Sequence, residues 1–160
     1  MNAAIQANTI GAQIFHRLLD VVPDLMTLSA DNYGRSETSG FMNLNLDVLA
    51  KGPNKVVIAL SHLYKHPSGD MIPDPDPDMQ LTVFLSDEYA EAQTFQDFYG
   101  FRATETNVAH VDQQVQRELN SFLLTWLGNL IAQGHSLKLI EESGLFGSDG
   151  RCDGAIQPLV

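Results

Sequence analysis

Apolar residues recur at a helical spacing near the start of the chain. Ile10, Ile14, Leu18 and Val22 follow one another at i, i+4 steps, and Phe15 and Leu19 widen the stripe. This is the pattern of an amphipathic helix. Thr9 or Asn8 is placed to cap it, and Pro23 to stop it. Leu25 to Leu28 adds a further apolar turn. Ser29 to Gly40 is polar, contains Gly34 and Gly40, and reads as a loop.

The period then changes from 3.6 to 2. Met42, Leu44, Leu46 and Val48 alternate with Asn43, Asn45 and Asp47, the mark of a half-buried strand. Lys51-Gly-Pro-Asn54 is a turn. Val56, Ile58, Leu60 and His62 form a second strand, and Met79, Leu81, Val83 and Leu85 a third. Ser86-Asp-Glu88 closes a hairpin into a fourth strand, from Tyr89 to about Phe101. Its faces are mixed: Ala90, Ala92, Thr94 and Phe98 on one, Tyr89, Phe95, Tyr99 and Phe101 on the other. Either a bulge switches the faces or both faces are covered.

A long helix follows. Asn107 or Asp112 caps it, and Val115, Leu119, Phe122, Leu123, Trp126, Leu127, Leu130 and Ile131 make a wide apolar stripe. Gly134 stands where a helix commonly ends. The expected fold is therefore α+β with the order α-β-β-β-β-α. It is a two-layer domain over residues 1–140, with a four-stranded antiparallel sheet and the N-terminal and long C-terminal helices on one face. Residues 141–160 hold Gly144, Gly147, Gly150 and Gly154 and read as a loosely docked tail.

Composition narrows the functional classes. A chain of 160 residues with 44% hydrophobic and 18% charged side chains can bury its own core without a disulfide or metal. The net charge of −11 and a pI near 4.6 argue against nucleic acid and against anionic membranes, both of which call for basic clusters. No apolar run reaches the roughly 18 residues of a membrane span. One cysteine, Cys152, fits a reducing compartment, and the expected location is the cytoplasm.

The most unusual stretch is Asp70 to Asp78, where Asp70, Asp74, Asp76 and Asp78 alternate in part with prolines. Four carboxylates suit Ca²⁺ or Mg²⁺. The stretch lacks EF-hand spacing, however, and its prolines hold the chain extended and the carboxylates apart. The competing reading is a stiff, solvated hairpin loop. His62 and His66 are four apart, which on a strand separates them by about 13 Å, too far to share an ion. His16, His110 and His135 have no partner nearby in sequence, and each reads as a surface or capping residue. Cys152 sits between Arg151 and Asp153, and no base is evident for it. There is no nucleophile elbow and no Gly-rich phosphate loop. No cofactor is implied. Of greater interest are the sheet aromatics Phe84, Tyr89, Phe95 and Tyr99. If helices cover only one face, some of these rings are exposed and suit a partner.

Two segments carry a family resemblance. Leu81-Thr-Val-Phe-Leu-Ser-Asp-Glu-Tyr-Ala-Glu-Ala92 resembles the third-strand and hairpin segment of the YqiB-like family of bacterial proteins. Asn120-Ser-Phe-Leu-Leu-Thr-Trp-Leu-Gly-Asn-Leu-Ile-Ala-Gln-Gly134 is similar to that family's closing helix. The likeness covers about three quarters of the chain. It departs in the acidic stretch before Met79 and in the extension past Gly134. That family is itself a domain of unknown function, so the resemblance implies a bacterial cytoplasmic protein and transfers no catalytic residue.

The favoured expectation is a non-catalytic protein-binding or adaptor module, holding a protein partner or a second copy on its open sheet face or an edge strand. The alternative is a small-ligand binder or enzyme with a pocket between sheet and helices, lined by Asp47, Glu91, Asp97, Arg102 or His62. A third is divalent-metal binding at the acidic stretch.

Overall fold

The computed structural model describes residues 9–65, 71–97, 99–105 and 110–140. Helix α1 spans Ile10–Val21 and begins where Thr9 accepts the Ala12 N–H at 3.3 Å. It ends at Val22, whose N–H still reaches the Leu18 carbonyl, because Pro23 has no N–H to continue the ladder. A single 3₁₀ turn, Leu25–Thr27, follows. Helix α2 spans Gln113–Ala132, and the Asp112 carboxylate accepts the N–H groups of Gln114 and Val115. It closes with the N–H of Gly134 on Ile131 and that of His135 on Leu130, a Schellman motif. Gly134 sits at φ +87, which a residue without Cβ adopts at little cost.

Among the described residues, seven antiparallel strands form one sheet. They are β1 Tyr33–Ser36, β2 Asn43–Lys51, β3 Lys55–Lys65, β4 Met71–Phe84, β5 Tyr89–Asp97, β6 Gly100–Ala103 and β7 Lys138–Ile140. Their spatial order is β6-β5-β4-β3-β2-β1-β7. Both helices touch β5 and each other, and the core lies between them and the sheet. Ile14, Phe15 and Leu18 of α1 and Leu123 and Leu127 of α2 meet Leu44, Leu46, Ile58, Leu60, Met79 and Leu81, all buried. Each such side chain contributes about 1.5–3 kcal/mol relative to exposure.

The expected four-stranded sheet is thus replaced by seven strands, for identifiable reasons. β1 falls in the segment expected to be a loop. Its four residues Tyr-Gly-Arg-Ser carry no apolar alternation, and it gains its place by pairing with β2 on one side and β7 on the other. β7 comes after the glycine that ends α2. The single fourth strand is two, folded back at Asp97–Gly100.

The acidic stretch is no hairpin loop over its described part: Met71 to Phe84 is one strand on β3. Ser61 faces Asp78 while His62 faces Asp74, so residues 75–77 bulge out of the ladder. Pro75 and Pro77 have no N–H to give it. Of the two explanations for the mixed faces of the fourth strand, the bulge is present. Gln80 faces Thr94 and Leu81 faces Ala92, leaving Gln93 as the extra residue. Ala90 and Ala92 are buried before it, and Phe95 packs on the core after it.

Candidate functional site

The β5–β6 hairpin turns on two residues, with Asp97 facing Gly100 across it. The Asp97 carboxylate accepts the N–H of Tyr99 at 2.8 Å and of Gly100 at 3.1 Å, which fixes the turn from inside. The hairpin carries two large aromatic rings in water. Tyr99 is 97% exposed and Phe101 62%. Phe101 faces Gln96, in the same cross-strand row as Asp78, Ser61 and Asn45. That row is on the sheet face away from the helices, since Met79, Leu60 and Leu44 beside it fill the core.

On the helix side of the same hairpin, Phe95 meets Phe122 of α2 edge-on at 5.0 Å between ring centres. Phe122 lies 6.4 Å from Trp126, and Trp126 meets His62 edge-on at 5.6 Å. Such ring pairs add about 0.5–1.5 kcal/mol each beyond burial. Phe122 is 40% exposed, so this row of rings opens onto the surface at its hairpin end. Arg102 pairs with Glu118 of α2. The Arg102 bond, helped by Gln114, holds the Glu118 carboxyl below its usual range.

The four expected aromatics separate into two pairs. Phe95 and Tyr99 belong to this hairpin. Phe84 and Tyr89 face each other beside the β4–β5 turn, 6.3 Å apart. The Tyr89 ring lies over Gly11 of α1, where a Cβ would meet ring carbons. Burial and the nearby Glu91 raise the Tyr89 phenol above its usual value. Phe101 and Phe122 were legible only as members of a strand face and a helix stripe. Nothing in those patterns marks them as exposed.

The expected pocket residues do not converge. Asp47 and Glu91 lie on the open face by strand alternation, and Asp97 is spent on its turn. Arg102 is held by Glu118, and His62 packs on Trp126. Among the described residues, the core side chains lie between the sheet and the helices. An open cleft of about 530 Å³ lies at the β1–β2 end and is lined by Asp31, Asn32, Tyr33, Asp47, Val48 and Leu49. Asp47 accepts from the Asn45 amide at 2.8 Å. Burial, then the Asp47 carboxylate, raises Asp78 above its usual range, and burial raises Glu91.

Of the acidic set, Asp70 lies outside the described residues, Asp74 and Asp76 belong to the β4 backbone, and Asp78 lies in the row described above. Among the described residues no group of three or more His, Cys, Asp or Glu could hold a metal ion. His66, Phe98, Asn107, Cys152 and the tail 141–160 also lie outside the described residues. His135, read from sequence as a surface or capping residue, is 3% exposed. Its Nδ1 lies 2.9 Å from the Ser36 hydroxyl, and that oxygen also accepts the Ser136 N–H at 2.9 Å. Among the described residues, its Nε2 and the Thr38 hydroxyl are buried without a hydrogen-bond partner. Burial, then the nearby His62, lowers its pKa, opposed by a backbone contact with Met42. No described helix is long and apolar enough to cross a membrane.

A family model described as "Domain of unknown function (DUF6908)" matches residues 13–136, and the chain belongs to this family. The expectation of a domain of unknown function holds at that level, and nothing in the match supports the YqiB-like assignment. No curated protein and no solved structure matches the chain.

Proposed function

We propose that this member of the DUF6908 family is a non-catalytic protein-binding module that holds its partner at the β5–β6 hairpin. The carrying observation is Tyr99 and Phe101, both largely in water on a turn braced by Asp97. Exposed aromatics on an ordered scaffold suit an interface because they add contact area at little entropic cost. Phe122 and Phe95 extend the apolar surface onto the helix side. The single cysteine supports a partner met in a reducing compartment, in keeping with a cytoplasmic reading. The likeness of Leu81–Ala92 and Asn120–Gly134 to the YqiB-like family supports a bacterial setting.

The test is co-purification from native extract with the intact chain and with Tyr99→Asp and Phe101→Asp. The expected result is a stoichiometric partner lost in both variants, with unchanged melting temperatures. A partner retained by both variants counts against this site.

A second reading is favoured by the cleft at Asp31 and Asp47: a small cationic ligand held between two carboxylates and the Tyr33 ring. Its check is a thermal shift with a panel of amines, removed by Asp47→Asn.

A further inference from the structure

The sheet treats its two stretches of β5-side edge differently. Toward Tyr89, β5 runs beyond the end of β6, and α2 covers it. The Asn120 side chain accepts the Ala92 N–H at 2.8 Å, and the Gln116 amide donates to the Ala92 carbonyl at 2.8 Å. Toward Asp97, β6 takes over as the outermost strand, and no described residue pairs with its outer side.

The ladder phase fixes which groups face outward. The Thr104 N–H bonds the Gln93 carbonyl at 2.9 Å. In an antiparallel pair bonded positions alternate, so Arg102 exchanges bonds with Phe95 and Gly100 with Asp97. Phe101 and Ala103 therefore turn their N–H and C=O groups to the free edge. Their side chains lie on the open face, and that of Arg102 lies on the helix face.

Charge selects the occupant. The whole chain carries −11. Asp97 and Glu105 flank β6, Asp78 shares the Phe101 row, and Arg102 is neutralised by Glu118. A second copy brings the same acids to the same edge and is repelled. A basic strand is attracted, and a lysine or arginine beside Phe101 meets an exposed ring face.

We infer, resting on the binding-module reading above, that the partner adds to the outer edge of β6 as an extended segment bearing lysine or arginine on the open-face side. Its main chain bonds Phe101 and Ala103, and its basic side chains lie over Phe101 toward Asp78. This is strand addition, in which main-chain bonds supply affinity and alternate side chains supply selection.

The experiment uses the full chain labelled with ¹⁵N. The probe is an end-blocked octapeptide in which lysine alternates with valine or threonine, and the control replaces each lysine by glutamate. The lysine peptide is expected to shift the Phe101 and Ala103 amides and slow their hydrogen exchange at least tenfold. The glutamate peptide is expected to do neither. Ala103→Pro deletes one outward N–H and leaves the β5 ladder intact, so at least tenfold weaker binding is expected. If that variant fails to fold, Phe101→Lys, which places like charge on the edge, is expected to abolish binding.

Equal binding of the glutamate peptide overturns the charge assignment. Binding without protection at Phe101 and Ala103, no binding of the lysine peptide, or protection that appears with protein concentration alone overturns strand addition. Where Tyr99→Asp releases a co-purifying partner that Ala103→Pro retains, the binding module stands and the strand-addition inference falls.

Discussion

The Asn120 side chain accepts the backbone N–H of Ala92 at 2.8 Å, joining the middle of α2 to the rim of the sheet. Asn120 is 4% exposed and Ala92 fully buried. A polar residue in a buried stripe is costly unless bonded, and here the bond replaces a missing neighbour strand. Asn120→Leu fills the same space but leaves the N–H unsatisfied in the interior. It is expected to destabilise the protein by about 1–3 kcal/mol, measured as a shift in urea midpoint at unchanged slope.

Asp78 has its carboxyl raised above 3.8 by burial and by Asp47. Between pH 3.8 and that raised value, the native state keeps a proton that the unfolded chain has lost. Stability therefore falls as pH rises through this window and stays lower above it. Asp78→Asn is expected to raise the melting temperature at pH 7. The gain is less than about 1 kcal/mol, because water screens a half-exposed group. Melting curves at pH 7 and pH 3 check it, with the difference vanishing at the lower pH.

The reverse sign holds at His135, whose pKa is lowered from 6.5. Above pH 6.5 neither state binds the proton, and the Ser36–His135 contact contributes in full. As the pH falls, the unfolded chain is protonated first, so stability declines until the lowered native value is reached. The slope from this group is at most about 1.4 kcal/mol per pH unit. Urea midpoints from pH 7.5 to 5 are expected to fall more steeply for the natural chain than for His135→Gln.

Gly34 lies between β2 and β7, where a Cβ would stand 2.8 Å from the Lys138 carbonyl oxygen. That neighbour is backbone and cannot swing away. Gly34→Ala is expected to loosen β7 and cost about 1–3 kcal/mol. Faster hydrogen exchange at Lys138 to Ile140 is the local readout, with the β3–β4 amides unchanged.

The parts legible in the sequence are those whose own residues carry the signal. The stripes from Ile10 to Val22 and Val115 to Ile131 mark helices, Thr9, Asp112 and Gly134 mark ends, and Leu44, Ile58 and Leu81 alternate in the sheet core. β1 and β7 were not legible, because Tyr33 to Ser36 and Lys138 to Ile140 are strands by virtue of each other. The prolines of β4 suggest a loop because a regular strand excludes them, and the structure places Pro75 and Pro77 in a bulge while Pro73 faces Leu63 in the ladder. At the hairpin, Phe95 and Tyr99 could be named from the strand pattern. The fold-back at Asp97 that exposes Tyr99 and Phe101 depends on one carboxylate accepting two N–H groups, which no periodicity records.

The placement of β1 has a consequence for how the protein is made. The meander from β2 to β5 joins neighbours in sequence and can assemble as it leaves the ribosome. The Ser36–His135 contact spans 99 residues, so β1 waits for its outer neighbour until nearly all of the described chain is synthesised. Such long-range closure is slow, and an early strand left as an open edge invites wrong pairing. β1 meets that interval with four residues, one of them glycine and one arginine, a sequence too short and too polar to recruit a stranger before β7 arrives.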